Sequence, residues 1–92
     1  MTLRIETASD GETATLRLIG RIEAEYLGEL RAQVRNFRAR LVLDLNEVTL
    51  VDVAGVRFLI ACEAGGIELV HCSPYIREWM DRERETTRGD SI

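Results

Sequence analysis

The sequence predicts an α/β fold: a single small mixed sheet of about four strands with three helices, in the order β-β-α-β-α-β-α. Three observations carry this. The chain starts with two alternating apolar–polar segments on either side of an Asp-Gly pair. The apolar period then lengthens to that of a helix, contracts to a continuous run at 41–45, and lengthens again. Strands two and three, and strands three and four, are therefore each joined through a helix. Such crossovers make parallel neighbours with right-handed connections.

The elements follow in order. Leu3, Ile5 and Thr7 alternate with polar residues as a half-buried strand does, and Asp10-Gly11 is a turn signal. Ala14, Leu16 and Leu18 alternate on the far side of that turn, so the first two strands form an antiparallel hairpin. After Gly20, residues Tyr26, Leu27, Leu30, Val34 and Phe37 recur at helical spacing. Glu23, Glu25 and Glu29 lie early in this helix and Arg31, Arg35 and Arg38 late, the order its dipole favours. The run "LVLDL", residues 41–45, reads as a central strand covered on both faces. A short loop follows, then a second helix over 53–64 that ends at Gly65-Gly66. "IELVH", residues 67–71, is the fourth strand. Ser73-Pro74 is a cap and first-turn pair for a third helix carrying Ile76, Trp79 and Met80 on one side. From residue 83 the chain is charged, so the domain is expected over 1–82 and a disordered tail over 83–92.

Composition narrows the function classes. Ninety-two residues make one domain with one modest core. The net charge of -4 argues against nucleic acid, whose phosphates require a basic face. All 12 basic residues are arginine, a compositional bias and not a site. No apolar run approaches the roughly 20 residues of a membrane span, and the first residues lack a signal-peptide core. Cys62 and Cys72 are expected as free thiols in a reducing cytoplasm. The single histidine, His71, leaves too few ligands for a two-cysteine metal site, and no cofactor is expected.

No catalytic constellation is visible. There is no glycine-rich phosphate loop. A serine triad would have to combine His71 with Ser9, Ser73 or Ser91, which fall beside a turn, at a helix cap and in the tail. Asp44 and Asp52 flank one loop at the carboxyl end of the third strand, the edge where open α/β sheets bind ligands. A nucleotide or small ligand there is one alternative reading. Asp52 also has an ordinary role as N-cap of the second helix, in which asparagine should serve about as well.

That helix starts with an unusually apolar segment, "VDVAGVRF", residues 51–58. On a helical wheel Gly55, Phe58, Leu59 and Cys62 share one sector, which faces the sheet. Val53, Arg57, Ile60, Ala61 and Ala64 fall opposite and face out. An outward apolar patch around one arginine is a common interface pattern.

The stretch "LVLDLNEVTLVDVAGVRFLIACEAGGIELVHCSPYIREWM", residues 41–80, resembles a STAS domain of the anti-sigma factor antagonist type. The family pattern is a strand ending in D-L-S, a loop, then D-S-[ST]-G-[LV] opening a helix. Residues 16–34, "LRLIGRIEAEYLGELRAQV", are similar to the family's junction into its first helix. The resemblance implies a cytoplasmic, non-enzymatic protein-binding module in bacterial signalling and transcription regulation. Its implied partner is an anti-sigma factor that is also a serine kinase, or a related ATPase domain. STAS-like domains also occur as small subunits of transporter ATPases and larger signalling assemblies, a second implied role. The kinase of the regulatory branch phosphorylates the serine after the aspartate, and binding is lost. Here Asp52 and Gly55 are kept, while the two positions between them hold Val53 and Ala54. Neither has a hydroxyl, so this switch cannot be phosphorylated. The expected partner surface is therefore the start and outer face of the second helix: Asp52, Val53, Ala54, Gly55, Arg57, Ile60 and Ala61. Without the hydroxyl, this surface is expected to stay competent to bind.

Overall fold

The hairpin expected at Asp10-Gly11 forms because both residues are suited to the turn. In the computed structural model, which describes residues 3–37 and 40–90 with side chains through Glu85, Asp10 Oδ1 accepts the backbone N–H groups of Glu12 and Thr13. Gly11 takes φ +95°, a left-handed conformation that suits glycine. Strand β1 (Arg4–Ser9) thereby lies antiparallel to β2 (Thr13–Ile22). Ala14, Leu16 and Leu18 all point to one side of β2 and are fully buried there.

The first helical segment is tighter at its start than its spacing implied. A 3₁₀ turn over Ala24–Tyr26 leads into α1 (Leu27–Arg35), so Tyr26 and Phe37 flank the α-helix instead of lying in it. Leu27 and Leu30 are its buried contacts.

The third strand departs most from the sequence reading. β3 runs Arg40–Val51, twelve residues in place of five followed by a loop. It pairs in parallel with β2, and the register slips between Arg17 and Ile19 and again between Gly20 and Arg21. Each slip is a bulge that adds one residue to β3. Because side chains alternate with period two, one bulge exchanges the faces of everything after it, and a second restores them. The core side of β3 accordingly reads Leu41, Leu43 and Leu45, then the partly buried Val48, then Val51. The mixed phase of "NEVTLV" is what made this segment look like a loop.

Helix α2 (Val53–Ala64) follows at once, matching its expected span. It ends in a Schellman arrangement: Gly66 N–H donates to the Glu63 carbonyl at 3.1 Å, and Ile67 N–H to the Cys62 carbonyl at 3.0 Å. Gly66 supplies the left-handed residue, at φ +94°. β4 (Glu68–Val70) is two residues shorter than the expected strand and adds in parallel to β3, giving the order β1-β2-β3-β4.

Helix α3 starts at Pro74, with Ser73 Oγ accepting the Ile76 N–H at 3.3 Å. Its backbone continues to Asp90, past the boundary expected at residue 82. The charges of this stretch explain the continuation as far as Arg84. Glu83 pairs with Arg57, and Arg84 with Glu63, so this stretch is tied to α2. Ser91 and Ile92 lie outside the described residues.

Leu27 and Leu30 of α1, Val56, Phe58, Leu59 and Cys62 of α2, and Ile76 and Met80 of α3 join the inner sides of the strands in one core. All three helices thus meet the same face of the sheet. The expectation that the third strand is covered on both faces is corrected by Val42 and Asp44, which are only half-buried on the other face. That face carries a surface ladder in which Glu6 pairs with Arg4 and Arg17, and Arg17 with Glu47. Among the described residues no helix is long and apolar enough to cross a membrane.

Candidate functional site

The start of α2 is held by one carboxylate doing two jobs. Asp52 Oδ1 accepts the Gly55 N–H at 2.7 Å, the N-cap bond expected from its position. Its Oδ2 accepts the Ala24 N–H at 3.0 Å, across 28 residues of sequence. Asp52 therefore pins α2 to the junction between β2 and the 3₁₀ turn. This changes the expectation for asparagine: its one carbonyl oxygen replaces one of two accepting oxygens, and its amide nitrogen faces a second donor. Asp52→Ala should cost roughly 2–3 kcal/mol, one cap plus one charge-assisted bond, and Asp52→Asn roughly half of that. Urea denaturation of both variants checks this. Equal stability of wild type and Asp52→Asn would mean that the Ala24 bond contributes nothing.

Gly55 is expected among the partner-contacting residues, and the structure puts it on the opposite side. It is buried, and a Cβ built on it would lie 2.3 Å from the Ile22 carbonyl oxygen. The same carbonyl accepts the Asp52 N–H at 3.2 Å. Gly55 is thus a packing requirement of the β2–α2 junction. Ile60, expected to face out, is half-buried against the core. Ala54 is also half-buried, while Val53, Arg57 and Ala61 are exposed. Val53 retains 43% of its surface.

These exposed residues form one wall of a groove. Val53, Ala54, Arg57, Phe58 and Ala61 of α2 face Leu27 and Arg31 of α1 across a depression of about 250 Å³. Phe58 and Leu27 are buried and give it an apolar floor. The Arg31 guanidinium lies 5.9 Å from the centre of the Phe58 ring, a cation–π contact that fixes its position on the wall. Arg57 Nε donates to Glu83 Oε1 at 3.2 Å. Sequence reasoning found the α2 wall and missed the α1 wall. Leu27 and Arg31 are four apart and so share a helix face, but nothing local says which helix that face meets.

The two carboxylates considered as a ligand pair have separate partners. Asp44 Oδ1 lies 3.0 Å from His71 Nδ1 and accepts the Asn46 N–H at 3.0 Å. The Asn46 bond, with a smaller contribution from His71, holds the Asp44 carboxyl below its ordinary 3.8. His71 is an exposed side chain on a left-handed backbone, φ 55°. Burial works to raise the Glu63 carboxyl, but hydrogen bonds from Arg84 and Arg77 outweigh it and hold the group below 4.5. Both folded pKa values are depressed. The stability these groups contribute is therefore complete above their unfolded values and is lost as pH falls through the folded ones. Their contribution to the melting temperature should be level from about pH 7 to 5 and fall below about pH 4. Replacing Asp44 by Asn and Glu63 by Gln together should flatten that acid limb, and an unchanged limb would assign it to other groups.

Both cysteines are free thiols. Burial pushes Cys62 up to about 11 and raises Cys72 as well, the opposite of an activated nucleophile. No cluster of three His, Cys, Asp or Glu side chains that could hold a metal occurs among the described residues.

Comparison with known proteins bears on this arrangement. The family model described as "Mlab, STAS domain" matches residues 5–81. The structure of the anti-sigma factor antagonist SpoIIAA in its unphosphorylated form is similar, with TM-score 0.63 at 18% sequence identity over 99% of this chain and 100% of that one. A crystal structure of Mglu is similar over 75% of this chain and 20% of its own, with TM-score 0.63 and 20% identity. At these identities the two structures show a shared fold.

Proposed function

This chain belongs to the STAS domain family, and from that premise we propose that it is a protein-binding module and not an enzyme. Its partner docks on the outer start of α2 and the groove beside it, and its competence to bind is not switched at residue 53. The observation that carries this is Val53: an exposed apolar side chain, without a hydroxyl, at the first helical position and on the rim of an apolar groove. An exposed valine beside a ready-made groove is inexpensive to desolvate and has nothing to phosphorylate. The proposed setting is bacterial signalling in the cytoplasm, and the partner class is an ATPase-type regulator such as an anti-sigma factor kinase.

The test starts from the full chain, used to retrieve its partner from source cells. Amide hydrogen exchange is then compared between the free protein and the purified complex. Protection should appear over 53–61 and at Leu27–Arg31. Protection confined to the uncovered sheet face would overturn the groove as the docking site. The retrieved partner also separates the roles: a kinase-like ATPase supports the signalling role, and a transport ATPase the alternative of a transporter subunit.

A further inference from the structure

We infer that the occupant of the α1–α2 groove is a protein segment that is both apolar and acidic, with its carboxylate held by Arg31 and Arg57. The inference rests on the groove reading above and adds the chemistry of the partner.

Charge, and how much of it is already paired, decides the occupant. The chain as a whole carries -4, yet among the described residues the only charged ones lining this groove are the two arginines. Arg31 makes no ion pair among the described residues; its guanidinium is held over the Phe58 ring, which positions the charge without neutralising it. Arg57 is held by one nitrogen: Nε donates to Glu83, and its two terminal nitrogens have no protein acceptor among the described residues. Both side chains are therefore oriented, and both keep donors for an incoming acceptor. Arginine donors of this kind suit a carboxylate, which can take two at once. Val53, Ala54 and Ala61 line the same groove, are small and aliphatic, and suit an apolar side chain.

A free phosphate or nucleotide fits less well. The usual seat for such an anion is the helix N-terminus, and here Asp52 already occupies it with a negative charge bonded to Gly55 N–H and Ala24 N–H. The groove also has an apolar floor, Leu27 and Phe58, where a phosphate would lose its hydration without replacement.

Three synthetic helical peptides test this. They share one length and one Leu/Phe stripe, and differ in whether the polar positions beside the stripe are Glu, Gln or Lys. Each is titrated into the isotopically labelled full chain and followed by amide chemical shifts. The Glu peptide should shift Leu27, Arg31, Val53 and Ala61, and bind roughly five- to tenfold more tightly than the Gln peptide. The Lys peptide should be weakest, and the Glu advantage should shrink with added salt. In an Arg31→Gln/Arg57→Gln variant the three peptides should bind alike; both side chains are exposed, so a melting temperature near wild type should confirm that the fold survives. Equal binding of the three peptides to wild type overturns the inference. So does a Glu preference that survives in the double variant, or an absence of shifts in the groove. Groove shifts from inorganic phosphate or ATP, without shifts from the peptides, also overturn it in favour of a small anion. The two readings fail separately. If the groove is protected in the natural complex but the double variant binds that partner with unchanged affinity, only the charge inference falls. If the groove is unprotected, the docking site itself is wrong.

Discussion

Gly55→Ala is expected to destabilise the fold by roughly 2–4 kcal/mol, more than most single-methyl additions. The added Cβ would lie 2.3 Å from the Ile22 carbonyl oxygen, a distance that real contacts do not show. The obstacle is backbone, so no side-chain rotation relieves it. Ile22 cannot retreat freely either, because its carbonyl accepts the Asp52 N–H. Helix α2 would have to lift from β2, lengthening the Asp52 cap bond and loosening Val56 and Leu59, both fully buried. Equilibrium urea denaturation reads this as a lower midpoint with a similar slope. A midpoint equal to wild type would mean that the helix slides at no cost, and the close approach would then explain nothing.

Val53→Asp should leave the fold intact and weaken the complex with the retrieved partner tens- to thousands-fold, the cost of bringing a new charge into the interface. The fold survives because Val53 is 43% exposed and lies in the first turn of α2, where the helix dipole tolerates an acid. The complex suffers twice. The new carboxylate must be desolvated, and it stands four residues before Arg57 on the same face, the spacing at which an acid draws a base. Val53→Ser should bind nearly as wild type, since it removes apolar area without adding charge. If the partner is a kinase, the serine variant should also accept phosphate when ATP is added. Affinity by calorimetry, with melting temperature as a control, decides the matter. A folded Val53→Asp protein with unchanged affinity would falsify docking at the start of α2.

The order of elements was legible because each carries its own period, and α2 was placed correctly by an acid before it and two glycines after it. What was not legible depended on distant chain. The two bulges in β3 are defined only against β2, so "NEVTLV" shows neither a strand alternation nor a helical one. The uncovered sheet face had one local sign, Asp44, standing in a run otherwise apolar. At the site, the Asp52 cap is a local bond and could be read from spacing. Its second bond, to Ala24, and the α1 wall of the groove arise from packing, and so does the burial of Gly55. A wheel places Gly55 on the inner side, but only the contact with Ile22 shows that no side chain fits there.

The paired bulges also set how this segment can change length over evolution. Each extra residue is absorbed in its own bulge, so either can be lost together with that bulge while Leu50 stays opposite Arg21 and Val51 opposite Ile22, on the faces they hold now. A residue lost from the regularly paired run 41–44 has no bulge to absorb it and turns one side of the strand to the wrong face. Relatives should therefore vary in length by one or two residues across 46–50 and not within 41–44, a tolerance set by the bulges and independent of what the helix binds.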